Sequence, residues 1–448
     1  MHSLIPQEIL KLDRTPRRVL YSIAVAGCLL RLFFWFYTGR VWEDALITVL
    51  HSENFANGLG LTHHHPGWPP LHGFTSPLSV LIPLAADVFH PGWGLALLKL
   101  VSALISIPTV LLGAAVALNP AFRLNIWLVY LLASYLAFEH HQVLWGMAGM
   151  ETQVAVFALF LVMYQALRLR PRALGAAMAV CVYARPDFVI LLLFVALYLL
   201  MTDRAVLRRS VLTALALYAP WVLFTTLYYG SPVPNTIVAK GLGYPLWTKT
   251  TSLLSSDAAT IVWARLYDYI YLPMGLSFAG HGTGFLKFAD NGFISRASML
   301  LILAGALAML RGFHRFYLIP LGSLAAYSAY YVFLVHGIFG WYLVPFSAVN
   351  CLLLVLGLGA LFRVLAPRNQ AWISALSIFC RSWPSCPSTS GRSAISSSMW
   401  RLPSGWPSGV TCSSTKGLAT ESAANRSATS HIIPGCRSMT ILGWRARK

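Results

Sequence analysis

Glu43 and Asp44 are adjacent carboxylates that follow an apolar run ending at Tyr37. Residues 45–77, which are polar, aromatic and rich in Gly and Pro, separate them from the next apolar sequence at Leu78. Carboxylates at the edge of a membrane segment are costly unless they face water or a partner, which makes them functional candidates by default. At a membrane–water boundary, Asp44 suits a general base that takes a proton from an attacking hydroxyl. It also reads as a solvated loop carboxylate or as an acid that starts a helix. Glu43 has three readings: a cap, a metal ligand, or a group that holds a substrate.

Further candidates lie far along the chain. Glu151 begins an apolar run, where an acid favours a helix N-terminus, and a site role is the competing reading. Arg185 and Asp187 share the turn ARPD between two apolar runs, either as an ion pair or with Arg185 on a phosphate. Lys240 is the other phosphate candidate, and Asn235 is a polar contact from the same stretch. His63, His64 and His65 form a run with His72 nearby. Three consecutive side chains rarely converge on one ion, and no Cys supports them, so a solvated loop is the simpler reading. Arg31, late in the first apolar run, either snorkels outward or meets a ligand.

These residues need elements to position them, and composition says what those are. Hydrophobic residues make up 57% of the 448-residue chain and charged residues only 10%, against about 25% charged in soluble domains. Mean hydropathy is +0.65. The apolar sequence falls in blocks near the ~20 residues that cross a bilayer, so the expected fold is all-α and polytopic, with roughly 10 to 12 spans. The net charge of +19 does not indicate nucleic acid, because the basic residues cluster between apolar blocks, where positive-inside loops belong. The clusters RTPRR, 168–172, 204–209 and 311–315 place the N-terminus inside and put residues 41–77, GMET, ARPD and 230–296 outside. That count fails if 78–90, 94–118 and 124–138 all cross. Leu78–Phe89, only ~18 Å of helix, is the segment expected to be partial. Trp35, Phe36 and Tyr37 read as an interfacial belt, and Thr75, Ser76 and Pro77 as a helix start. Cys28, Cys181 and Cys351 lie in apolar runs, and no cysteine spacing indicates a metal site or disulfide framework. Residues 1–370 form the expected membrane domain. Residues 371–448 are Ser-, Arg- and Pro-rich with no helical or strand period, which fits either a disordered extension or a shifted reading frame.

Taken together, WEDALITVLHSENFANGLGL, GFTSPLSVL, GMET at 149–152, ARPD at 184–187, YYGSPVPNTIVAK at 228–240 and WYLVP at 341–345 resemble, in order, the motif pattern of a known enzyme group. These are the polyprenyl-phosphate-dependent membrane glycosyltransferases of the GT-C superfamily, and the arabinofuranosyltransferase-like branch is the most similar. The resemblance covers roughly residues 15 to 365. The chain departs from the pattern at Leu59, His72 and Trp341, where relatives often carry His, Glu and Arg.

The resemblance implies a GT-C-like fold with a large first extracytoplasmic loop, and inverting transfer of a sugar, arabinofuranose by preference, from a polyprenyl-phosphate donor. The acceptor would be a hydroxyl of an extracytoplasmic glycan or lipid at the cell membrane. Phosphate leaves readily, so one base suffices, and the resemblance assigns that role to Asp44. Fixed cations would meet the charge developing on phosphate. Glu43, Glu151, Arg185, Asp187, Asn235, Lys240 and Tyr342 of WYLVP are the implied substrate contacts. No residue demands a cofactor, although several relatives need a divalent cation. The rival classes are a multi-spanning transporter and a catalytically inactive scaffold.

Overall fold

A computed structural model of the chain describes residues 5–64, 67–243, 293–311, 314–334 and 340–365. All lie in the first of two units, Met1–Trp383. The sequence expectations for residues 371–448 and 244–292 fall outside the described residues.

Every regular element among the described residues is helical: α1 Gln7–Leu10, α2 Arg14–Thr38, α3 Glu43–Ala56, α4 Pro77–Asp87, α5 Gly94–Ala117, α6 Ile126–Phe138, α7 His140–Gly146, α8 Thr152–Arg168, α9 Pro171–Ala184, α10 Val189–Thr202, α11 Arg204–Tyr229, α12 Asn235–Gly243, α13 Phe293–Arg311, α14 Leu318–Leu334 and α15 Gly340–Leu365. Four helices are long and apolar enough to cross a bilayer, namely α2, α5, α11 and α15, and they mark a membrane protein. The core is one apolar cluster drawn chiefly from α5, α6, α8, α9, α10 and α15.

The bundle has two chemically different ends. At one, Arg168 pairs with Glu8 at 3.1 Å, Arg315 donates to the Met201 carbonyl, and Arg363 donates to the Phe122 carbonyl. This is the basic end. At the other, Trp42 N–H donates to the Ala148 carbonyl and the Lys99 ammonium donates to the Arg40 carbonyl. Both ends of α4 belong to this second end. The Ser76 hydroxyl, its N-cap, bonds the Tyr183 carbonyl near the end of α9. Asp87, its last residue, accepts from Ser52 of α3 and from the Gly92 and Gly94 N–H groups. Therefore α4 does not run from end to end, whereas α5 does. Its capping Ser76 and Pro77 at the first position match the sequence signals.

Residues 43–56 of the 41–77 stretch form α3, with Asp44 a first-turn acid, one of the readings its place in the sequence offers. Its two acids occupy the first turn, where they oppose the macrodipole, and Ala45 and Val49 turn one face inward. The expectation that Arg31 snorkels outward needs correction. The residue is fully buried, and its guanidinium donates to Gln153 Oε1 and to the carbonyls of Gly27, Leu136 and Ala137. The last two carbonyls end α6, where Glu139 breaks the rod in an extended conformation before α7. Arg31 thus satisfies acceptors that the break exposes. Gly27 permits the approach, since a Cβ there would meet the Ala137 Cβ at 2.8 Å.

Candidate functional site

Asp44, Glu151, Arg185, Asp187 and Tyr342 come together at the second end of the bundle, although almost 300 residues separate the first from the last. Arg185 and Asp187 sit where α9 stops. Arg185 is extended, which ends the helix, and Pro186 starts the single 3-10 turn that leads into α10. The two side chains form a bidentate pair, with Nε to Oδ1 at 3.0 Å and Nη2 to Oδ2 at 2.8 Å. The Arg185 guanidinium also lies over the Tyr342 ring, 4.5 Å from its centroid. Tyr327 OH donates to the Asp187 carbonyl at 2.8 Å and fixes that turn against α14. Arg185 is 4% exposed, so its charge is held in a poorly hydrated place.

Glu151 occupies the N-cap position of α8, where its charge suits the helix N-terminus, although its side chain makes no capping bond. Its carboxyl also lies among charges. Burial pushes it above its ordinary value of 4.5, Arg185 pulls it back, and Asp187 and Asp44 push it further up. Asp44 is half-buried in the first turn of α3 and, among the described residues, makes no hydrogen bond or ion pair. Glu43, beside it, is exposed.

The turn holding Glu151 is rigid for a backbone reason. Gly149 has φ +90, and a Cβ on it would meet the Leu95 side chain at 2.8 Å and the Ala45 Cβ at 3.1 Å. This close contact locks the loop before α8 onto α3. Beside it, Trp42, Trp145 and Trp341 form a mutually packed triad with ring centroids 4.8 to 5.8 Å apart. Trp341 leads directly into Tyr342.

A small crevice of about 20 Å³, room for roughly one water, opens against this group and is lined by Arg185, Asp187, Tyr327, Tyr342, Pro345 and Phe346 among others. Asp44 is not in its lining. The crevice therefore brings together one guanidinium, the carboxylate that pairs with it and aromatic faces.

The remaining sequence candidates stand apart. The Asn235 side chain is exposed, while its N–H donates to the His72 carbonyl at 3.0 Å. Lys240 is on α12, and its side chain falls outside the described residues. His72 is not solvated. It is 2% exposed and stacked on Tyr229 at 4.6 Å, and burial lowers its pKa to about 4. His63 contacts His51 with Nδ1 and Nε2 3.2 Å apart, and burial lowers the His51 pKa to about 4 as well. At neutral pH these two buried rings are uncharged packing groups.

Sequence reading missed His51, the tryptophan triad and the Glu139-His140-His141 stretch. The last had a signal, since four polar residues, Glu139 to Gln142, interrupt an apolar run there. The triad had none, because its members lie about 100 and 200 residues apart. No family model, curated protein or solved structure matches this chain.

Proposed function

We propose that this chain is a multi-pass membrane glycosyltransferase that moves a sugar, arabinofuranose by preference, from a polyprenyl-phosphate donor to an extracytoplasmic hydroxyl of a glycan or lipid. One observation carries the reading: Asp44, Glu151, Arg185, Asp187 and Tyr342, drawn from four motifs of the resemblance, gather at one end of the bundle. The opposite end carries the clustered Arg residues, which supports a cytoplasmic basic face and an extracytoplasmic site. The rods α2, α5, α6 with α7, α8, α9, α10, α11, α13, α14 and α15 would each cross, in keeping with the 10 to 12 spans expected. The interfacial α3 and the non-crossing α4 would roof the outer face.

In mechanistic terms, the Asp44 carboxylate is the unengaged base and takes the proton of the acceptor hydroxyl as that oxygen attacks the anomeric carbon. The sugar–phosphate bond breaks, and the phosphate leaves with the lipid. Arg185, held by Asp187 and by the Tyr342 face, supplies fixed positive charge for the leaving group in a dry setting. The test is transfer from a radiolabelled polyprenyl-phosphate sugar. Asp44→Asn is expected to lower kcat by roughly 10²–10⁴-fold, the usual worth of a general base. Unchanged transfer refutes the assignment.

A transporter is the second reading, favoured by the broken α6–α7 rod with Arg31 and Glu139 buried at the break. Uptake of solute into proteoliposomes without any sugar-transfer product would establish it.

A further inference from the structure

The α6–α7 break holds a group of ligand-type side chains unrelated to the crevice. We propose that Glu139, His140 and His141 form a binding site for a divalent first-row transition ion of the zinc class. Their donor atoms all lie within 4.8 Å of one another. His140 Nδ1 and His141 Nδ1 stand 3.1 and 3.0 Å from the same oxygen, Glu139 Oε1. Two ligands about 2.1 Å from one ion stand about 2.9–3.4 Å apart at octahedral to tetrahedral angles, so these spacings already suit a shared ion.

The surroundings favour a cation there. The Glu139 side chain is 3% exposed, and a buried carboxylate is costly without a positive partner. Among the described residues no Arg or Lys pairs with it. Arg31, whose charge is felt in this region, spends its N–H groups on Gln153 and three carbonyls. The second carboxylate oxygen is held by the Gln142 N–H at 2.9 Å. The Gln142 side chain is anchored in turn to the Val344 carbonyl at 3.1 Å and the Ser347 hydroxyl at 3.3 Å. Oε1 is thereby left facing the two imidazoles, with its orientation fixed by neighbours in the manner of a supported metal ligand. The His140 side chain keeps 40% exposure, which leaves a path for an ion. Two nitrogens and one oxygen select zinc-like ions over Mg²⁺ or Ca²⁺.

The alternative is a proton shared between Glu139 and an imidazolium. To separate the two, the untagged full-length chain in detergent is stripped with chelator and dialysed against Zn²⁺, and bound metal is counted by mass spectrometry. We expect one Zn²⁺ per chain and a melting midpoint that Zn²⁺ raises and chelator lowers. Glu139→Gln, which keeps an oxygen for the Gln142 N–H, and His141→Ala should each weaken binding about tenfold or more. The triple change of His63, His64 and His65 to Ala should leave binding intact. Absence of stoichiometric zinc and of any zinc-dependent midpoint shift in the unaltered chain overturns the site. So does binding that survives His140→Ala with His141→Ala, or that disappears with the 63–65 change.

Discussion

Arg31 and Arg185 are both buried arginines in the same bundle, yet their surroundings are opposite. Arg31 gives its hydrogen bonds to neutral oxygens: Gln153 and the carbonyls of Gly27, Leu136 and Ala137. Arg185 faces a carboxylate in bidentate register, an aromatic ring and the charge of Glu151. The first arrangement closes a gap in the backbone. The second collects charges that have more than one way to pair, and a crevice opens beside it. Burial of a charge alone therefore does not identify a site; what matters is whether its partners are backbone groups or other charges.

The largest stability effect is expected at the closed arrangement. Arg31→Met strands the Leu136 and Ala137 carbonyls and the Gln153 Oε1 in the interior. At about 1–3 kcal/mol per buried unsatisfied group, the loss is about 3 kcal/mol or more. Thermal unfolding in detergent should show a fall of several degrees, while transfer per folded molecule stays near its original value. A normal midpoint with abolished transfer would move Arg31 into the site and erase the contrast between the two arginines. Gly149→Ala comes next. It forces an alanine to φ +90 and a methyl against Leu95 and Ala45, which costs about 2 kcal/mol. Because the loop carries Glu151, its activity should fall further than its stability. Arg185→Lys is milder still. It replaces a planar fork with a point charge, keeps the sign, and loses one charged hydrogen bond to Asp187, so KM for the lipid donor should rise about tenfold with a midpoint fall smaller than that of Arg31→Met. Equal losses at Arg31 and Arg185 in both assays would mean that the two arginines do the same job.

Much of this contrast follows from where sequence information lies. The helices were legible because apolar blocks and their basic ends repeat at bundle length, and the starts of α4 and α9–α10 carry Ser-Pro and Arg-Pro signals. Asp44, Glu151, Arg185 and Asp187 were legible as polar residues at the ends of apolar runs. The role of Arg31 was not, since its partners are carbonyls of a helix more than 100 residues away, and every residue supplies a carbonyl. The start of α3 was legible in its two acids, whereas its extent to Ala56 was obscured by the polar and His-rich sequence that follows it. The burial of His72 was obscured because its stacking partner, Tyr229, comes from the distant end of α11.

The smallest effect is expected at Glu151, and it tests the charged arrangement most selectively. Burial raises the Glu151 carboxyl above its ordinary value of 4.5. The folded chain then binds more protons than the unfolded chain at pH values between the ordinary value and the raised one. Stability must therefore fall as pH rises through that window and level off above it. Glu151→Gln removes the titrating proton while keeping the shape. Its unfolding midpoint should be flatter across the same window and higher than that of the original chain on the alkaline side. If instead the substitution lowers the midpoint on the alkaline side, the Glu151 carboxylate is stabilised by Arg185 more than it is penalised by burial. The charges at this end would then be closed on themselves, as Arg31 is, rather than held open for a substrate.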